Sequence, residues 1–123
     1  MRVKCLRLEH DGKSIGPGIN TWFTVGQVYL VLGIHYSPGR EASFWVLTDD
    51  RTTPVFKGAS FFDIVDGTIP KNWIVRSFPT GGFEIIPIEL TNGFSLEAFI
   101  DRKPDAVALF GNVVAKLEAE RVL

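Results

Sequence analysis

Residues 24–65 constrain the fold most, because they form a series of short β-type runs separated by turn residues. The clearest run, residues 27–36, carries apolar side chains on both faces, which is typical of a central strand. Further runs lie at residues 42–48, 55–57 and 61–65, and turn residues separate them. Short strands at this spacing predict a small closed or nearly closed β-barrel.

A second β-type region follows the first. Residues 73–78 and 83–88 are extended by composition, and the Thr-Gly-Gly segment at 80–82 suits a hairpin turn between them. Pro87 has no backbone N–H to donate, so it can lie only at a sheet edge or at the end of its strand. We therefore expect these two runs to pair with each other.

Two helices are predicted after the β-type runs. Ser95 is suited to cap the first helix, and Pro104 suits the first position of the longer second helix. Apolar residues of the second helix follow the spacing of a buried stripe, at Val107, Phe110, Val114 and Leu117. Gly111 lies inside this helix, where glycine costs about 1 kcal/mol relative to alanine. We expect Gly111 to be explained by close packing against the barrel.

The charge balance limits what the chain can bind. Its 13 basic and 14 acidic residues leave a net charge of −1, so binding to nucleic acid or to an anionic membrane through bulk charge is not expected. The first residues lack the apolar core of a signal peptide, and no apolar run approaches the roughly 20 residues that span a bilayer. We expect a cytoplasmic protein without membrane association.

Residues for catalysis or metal binding are few. Cys5, His10 and His35 are the candidates for a nucleophile and its base, and a buried structural role is expected for Cys5. A single cysteine excludes an internal disulfide, and two histidines without helical spacing do not indicate zinc. Neither glycine-rich phosphate-binding motif occurs. We therefore expect no metal, no cofactor and no enzymatic activity.

The segment TVGQVY at residues 24–29 begins a pattern that resembles SH3-like β-barrels. A long apolar strand, a polar turn, an aromatic strand and an Asp-Asp turn follow it. SH3-like barrels are small, strongly bent sheets that bind peptides, proteins or nucleic acids, and the resemblance covers roughly residues 1–65. The acidic-aromatic loop signature of SH3 domains that read proline-rich peptides is not found here, so such ligands are not expected.

The layout of the whole chain also resembles small bacterial proteins, among them immunity proteins of toxin systems. The segments IPKNWIVR and FSLEAFIDRKPDAVALF contribute to this likeness, but no site residue follows from it. We predict an α+β single domain over residues 1–123. Residues 1–79 form its SH3-like β-barrel part, and residues 80–123 form an extended segment and C-terminal helices.

Aromatic and acidic residues are the candidates for partner binding. Trp22 and Trp73 lie beside polar linkers, where an exposed indole can anchor a protein interface, whereas Trp45 is expected in the core. Asp49 and Asp50 are adjacent in a turn, where carboxylates more often cap backbone groups than perform acid–base chemistry. Together these four residues, Trp22, Asp49, Asp50 and Trp73, form the predicted partner-binding set.

The leading hypothesis is a non-catalytic protein-binding module, an immunity protein that covers the active site of a bacterial toxin. The alternative is a nucleic-acid-binding SH3-like module that uses Arg2, Lys4 and Arg7 on the first strand. Glu9 and Asp11 interrupt this strip, so a solvated edge is the simpler interpretation. An enzyme with an unrecognised site and an oligomerising subunit are further alternatives, and the oligomeric state stays open.

Overall fold

An antiparallel sheet followed by two helices makes up the computed structural model, which describes residues 1–7, 9, 10, 13, 14, 22–91 and 96–119. Only the backbone is described at residues 9, 10, 13, 14 and 96. The strands are β1 (Arg2–Cys5), β2 (Glu9–His10), β3 (Lys13–Ser14), β4 (Val28–Tyr36), β5 (Ser43–Leu47), β6 (Pro54–Gly58), β7 (Phe62–Asp66), β8 (Trp73–Ser77) and β9 (Phe83–Pro87). The helices are α1 (Leu96–Ile100) and α2 (Pro104–Ala119), and single turns of 3₁₀ helix cover Ala59–Phe61 and Ile88–Leu90.

Strand β4 is the centre of a seven-stranded sheet. It pairs with β5 along one edge, and along the other edge with β1 at its start and β9 at its end. Outside these lie β6 on β5, β7 on β1 and β8 on β9, all antiparallel. Strands β2 and β3 form a separate pair. The central position predicted for residues 27–36 and the hairpin predicted around residues 80–82 are both confirmed.

The sheet is not closed within the described part of the chain. Strand β6 pairs only with β5 there, and β7 pairs only with β1. The sheet and the two helices confirm the predicted α+β class. A closed barrel stays a prediction.

The core contains aromatic groups on both faces of the sheet. Phe62 contacts Phe23 and Phe44, with ring centroids 5.6 and 6.2 Å apart. Trp45, the residue after Phe44, has its side chain on the opposite face and contacts Phe110 of α2 at 6.0 Å. Helix α2 therefore covers the sheet face that carries Trp45.

Helix α2 begins at Pro104, as predicted, but its buried face is rotated from the predicted stripe. The fully buried positions are Ala106, Phe110, Val113 and Leu117, and Val107 and Val114 are half-buried. Gly111 is exposed, and a Cβ built on it would meet no atom within 4 Å, so the expected close packing there is wrong. The cap predicted at Ser95 lies outside the described residues. Neither described helix has the length and apolar character needed to cross a bilayer.

Candidate functional site

Phe56 on β6 presents an exposed aromatic ring at the edge of the sheet. Its side chain is 52% exposed, although it lies within a β-strand of the sheet. The ring stacks on Trp45 of the neighbouring strand, with centroids 5.7 Å apart and an interplanar angle of 16°. His35 contacts the same ring edge-on at 5.7 Å. Trp45 and His35 thus cover part of the ring, and the rest of Phe56 is exposed to solvent.

Three surface cavities meet at Phe56, which is among the lining residues of each. The first, about 170 Å³, lies toward His35 and the Arg76–Glu84 ion pair. The second, about 250 Å³, lies toward Phe99 and Arg102. The third, about 160 Å³, is lined by Trp22, Phe23, Val55, Phe56, Lys57, Gly58 and Phe61. We call Trp22, Phe56 and the outer edge of β6 the β6 surface.

The backbone of Phe56 points away from the rest of the sheet. Thr48 N–H donates to the Thr53 carbonyl at 2.9 Å, and Ala59 N–H donates to the Ala42 carbonyl at 2.8 Å. Hydrogen-bonded and non-bonded pairs alternate along an antiparallel ladder, so Val55 and Lys57 bond to β5. The N–H and C=O of Phe56 then face outward, where no described residue bonds them. The β6 surface therefore combines exposed aromatic rings with backbone groups that no described residue bonds.

Lys57 lies beside Phe56 but has its side chain on the opposite face of β6. It is only 7% exposed, and its Nζ lies 4.2 Å from the ring centroid of Phe61 and 6.0 Å from that of Phe23. None of the described carboxylates forms an ion pair with it. Burial lowers the pKa of Lys57, because desolvation disfavours the charged ammonium. Within the described part of the chain, aromatic ring faces rather than a counter-ion stabilise this cation.

The two tryptophans of the predicted partner-binding set lie in different environments. Trp22 is 40% exposed and lines the cavity that also contains Lys57. Trp73 is 7% exposed and belongs to the core, where it is paired with Pro87 of β9. The expectation that Trp73 is an exposed anchor is therefore wrong. The polar residues before it gave no information on which strand face is covered.

The two carboxylates of the set are both occupied by bonds within the chain. Asp50 accepts hydrogen bonds from the backbone N–H groups of Thr52 and Thr53 at 2.8 and 2.7 Å, and from the hydroxyls of Thr48 and Thr53. Burial raises the pKa of Asp50, but these hydrogen bonds outweigh it and hold the pKa well below its usual range. The predicted turn-capping role is confirmed for Asp50.

Asp49 connects the same turn to the buried Tyr29. Its Oδ1 accepts a 2.5 Å hydrogen bond from the Tyr29 hydroxyl, and its Oδ2 accepts one from the Thr24 hydroxyl at 2.9 Å. Tyr29 and Asp49 border a polar cleft of about 440 Å³, in which Arg51 and Glu118 form an ion pair. Because Asp49, Arg51 and Glu118 all bond within the chain, the cleft offers few uncommitted charges to a ligand.

Replacing Tyr29 with phenylalanine should lower the free energy of unfolding by about 1–3 kcal/mol, because the partly buried hydrogen bond to the Asp49 carboxylate is lost. Burial and the bond to Asp49 raise the pKa of Tyr29 from 10.0 to about 12. Between these two pH values, Tyr29 in the native state keeps a proton that the unfolded chain has released. The contribution of the Tyr29 hydroxyl to stability is therefore complete below pH 10 and is lost as the pH rises through 12. Urea unfolding of both proteins should therefore show stabilities that converge at alkaline pH. A difference that is independent of pH would contradict this assignment.

The basic strip predicted on β1 faces acidic residues of the neighbouring strand. Arg2 is opposite Asp66 and Lys4 is opposite Asp63 in the β1–β7 ladder. Arg7 donates a 2.6 Å hydrogen bond to the Ser60 carbonyl. Because these neighbours offset the charge of the strip, the geometry does not favour nucleic-acid binding there.

The described candidates for nucleophile and base are far apart. Cys5 N–H donates to the carbonyl of Gln27, just before β4, whereas His35 lies near the end of that strand. Eight residues of strand separate the two positions by roughly 26 Å. Burial raises the pKa of the Cys5 thiol, which disfavours the reactive thiolate. Cys5 and His35 do not form a catalytic pair, and the side chain of His10 lies outside the described residues.

Sequence reasoning missed Phe56 and Lys57 because they reverse the usual rule of burial. In the short run 55–57 the phenylalanine is exposed and the lysine is buried, so binary patterning assigns each to the wrong environment. The sequence gives one indication that Lys57 is buried, because Lys57 lies two residues from the apolar Val55 and shares its face of the strand.

Comparison of the chain with protein families, with curated proteins and with solved structures finds no match. No activity or partner can therefore be carried over from a relative. The functional role has to be inferred from the β6 surface and its surroundings.

Proposed function

We propose that the chain is a non-catalytic protein-binding module that holds its partner on the β6 surface. The observation that carries the proposal is the position of Phe56, which is half exposed, is shared by three cavities and lies on a strand whose outer edge no described strand pairs with. Exposed aromatic residues next to small pockets are the usual anchors of protein interfaces. A free strand edge also allows a partner segment to add by main-chain hydrogen bonds.

The proposed architecture for this function is an SH3-like barrel that stays open at β6. The central position of β4 and the short flanking strands support it. The open edge is an advantage for binding, because it leaves backbone groups of β6 for a partner. Proteins normally protect such edges with charge or with proline, and Pro54 at the start of β6 restricts pairing to its remaining residues.

Toxin neutralisation is the specific form of the function that we propose. A rigid surface that carries Trp22 and Phe56 would occlude the active site of a toxin without chemistry of its own. The small size of the chain and the separation of Cys5 from His35 support a binding role over a catalytic one. Asp49 and Asp50 are not required in this arrangement, because their oxygens already bond within the chain.

Phe56→Ala tests the proposal directly. Co-purification with the products of neighbouring genes should identify the partner, and the variant should weaken that complex by at least about tenfold, as truncation of an interface anchor does. Val75→Ala is the matched control, since Val75 is 65% exposed on β8, away from β6. Equal effects of the two changes, or the absence of any bound neighbour product, would contradict the proposal. Growth protection against a partner toxin tests the immunity role itself.

A further inference from the structure

The third cavity, which Lys57 lines and which we call the Lys57 cavity, holds a cation that none of the described carboxylates pairs with. The cavity has room for about five water molecules by liquid volume, which is the scale of one side chain. Trp22 borders it at the surface, and Phe23 and Phe61 form its apolar walls. Burying an ammonium group without a hydrogen-bonded partner is costly, and an anion in the cavity would relieve that cost. The cavity thus matches a negatively charged side chain better than a neutral one.

The register of β6 determines where a partner strand would place its side chains. A strand that bonds to the outward N–H and C=O of Phe56 puts Lys57 at a non-hydrogen-bonded position. Opposed side chains lie closest at such positions, with Cα atoms about 4.5 Å apart. Side chains alternate along a strand. A partner residue opposite Lys57 therefore points to the Lys57 cavity, and a partner residue opposite Phe56 points to the sheet face that carries Phe56 and Trp45.

Other charges around the β6 surface favour the same kind of partner. The charged residues that line the three cavities are Lys57, Arg76, Glu84 and Arg102. Glu84 is paired with Arg76, which leaves Lys57 and Arg102 without an acidic partner among the described side chains. The guanidinium of Arg102 lies 5.8 Å from the ring centroid of Phe99. The surface therefore complements an acidic segment.

We propose that the partner contributes an extended segment of alternating apolar and acidic residues, with an aspartate or glutamate carboxylate bound to the ammonium of Lys57. This inference rests on the proposed function, since it specifies the chemistry of the partner at the same surface. Backbone hydrogen bonds to Phe56 hold the segment in register. The apolar side chain opposite Phe56 fills the cavities on the other face of the strand.

A peptide selection tests the inference even while the partner is unidentified. Randomised nine-residue peptides displayed on phage are selected against the full chain, and selected peptides are synthesised for affinity measurement. We expect one acidic position flanked by apolar residues. Lys57→Met should weaken binding by about tenfold, and so should replacement of the peptide's aspartate by asparagine or glutamate by glutamine. The two changes should not add, because they remove the same contact.

The outcomes separate this inference from the proposed function. Peptides that depend on Phe56 but lack an acidic residue, or that bind Lys57→Met equally well, overturn the acidic anchor and leave the β6 surface intact. If no selected peptide loses affinity with Phe56→Ala, the β6 surface and the anchor are both overturned.

Lys57→Met should also raise the melting temperature of the free protein, so loss of peptide binding cannot result from unfolding. Burial lowers the pKa of Lys57 below its ordinary value of 10.5. The unfolded chain then binds more protons than the native state between these two values, so this lysine makes the wild-type stability rise with pH there. The advantage of the variant should shrink as the pH approaches 10.5. Unfolding curves of both proteins at neutral and alkaline pH measure this difference in stability. A less stable variant at neutral pH would contradict the uncompensated burial cost on which the acidic anchor depends.

Discussion

Replacing Phe110 with alanine should lower the free energy of unfolding by about 3–5 kcal/mol. Phe110 is buried on α2, and its ring centroid lies 4.5 Å from that of Phe99 and 6.0 Å from that of Trp45. It thus joins both helices to the sheet. The truncation leaves a cavity between α1, α2 and β5. None of these elements can close it by moving alone, because each also packs against other parts of the chain. The predicted loss is a large part of the roughly 5–15 kcal/mol that stabilises a typical domain.

Urea unfolding monitored by tryptophan fluorescence measures this loss, because Trp45 reports on the contact with α2. Val107→Ala is the matched control on the same helix, where a half-buried valine should cost about 1 kcal/mol. Comparable losses for the two variants would mean that Val107 belongs to the buried stripe, as its sequence spacing suggests. A loss below about 1 kcal/mol for Phe110→Ala would show that α2 contributes little to the core.

The strands could be predicted from the sequence because their signals are local. Residues 27–36 are apolar on both faces, and only a central strand buries both faces. The Thr-Gly-Gly turn defines the β8–β9 hairpin in the same local way, and Pro104 marks the start of α2. In each case the residues that determine the element lie inside it or next to it.

The rest depends on contacts between distant residues. Trp73 and Val75 share a face of β8, yet one is buried and the other exposed, because only the start of the strand is covered. Alternation shows which residues share a face but not where that face is covered. Likewise, the face of α2 that is buried depends on the position of Trp45 beneath the helix. The residue pattern of the helix carries no information about that position.

The candidate site was only partly predictable for the same reason. Trp22 could be proposed as an anchor from its polar surroundings, but its neighbours in the cavity lie on β6 and in the turn before β7. The exposure of Phe56 arises because no described strand follows β6 in the sheet, which is a property of the topology. A lysine is normally assigned to the surface, so the burial of Lys57 becomes visible only when Phe23 and Phe61 are placed around it.

Gly82→Ala should be the second most damaging change, with a loss of about 3 kcal/mol. A Cβ at this position would lie 2.3 Å from the backbone carbonyl oxygen of Tyr36 and 3.3 Å from Cα of Ser37. Backbone atoms at the end of β4 cannot move aside as a flexible side chain would. Gly82 also accepts the 2.8 Å hydrogen bond from Phe78 N–H that closes the β8–β9 turn. The substitution should therefore separate the hairpin from β4.

Gly111→Ala is the control that separates this steric cost from the general effect of removing a glycine. Gly111 is exposed within α2 and has open space around it, so alanine should stabilise the protein by about 0.5–1 kcal/mol through helix propensity and a less flexible unfolded chain. Hydrogen exchange should show loss of protection at the β4–β9 pairs in Gly82→Ala alone. Unchanged protection there would mean that the turn adapts without disturbing β4. The same methyl group is thus expected to have opposite effects at the two positions, because backbone atoms surround one and solvent surrounds the other.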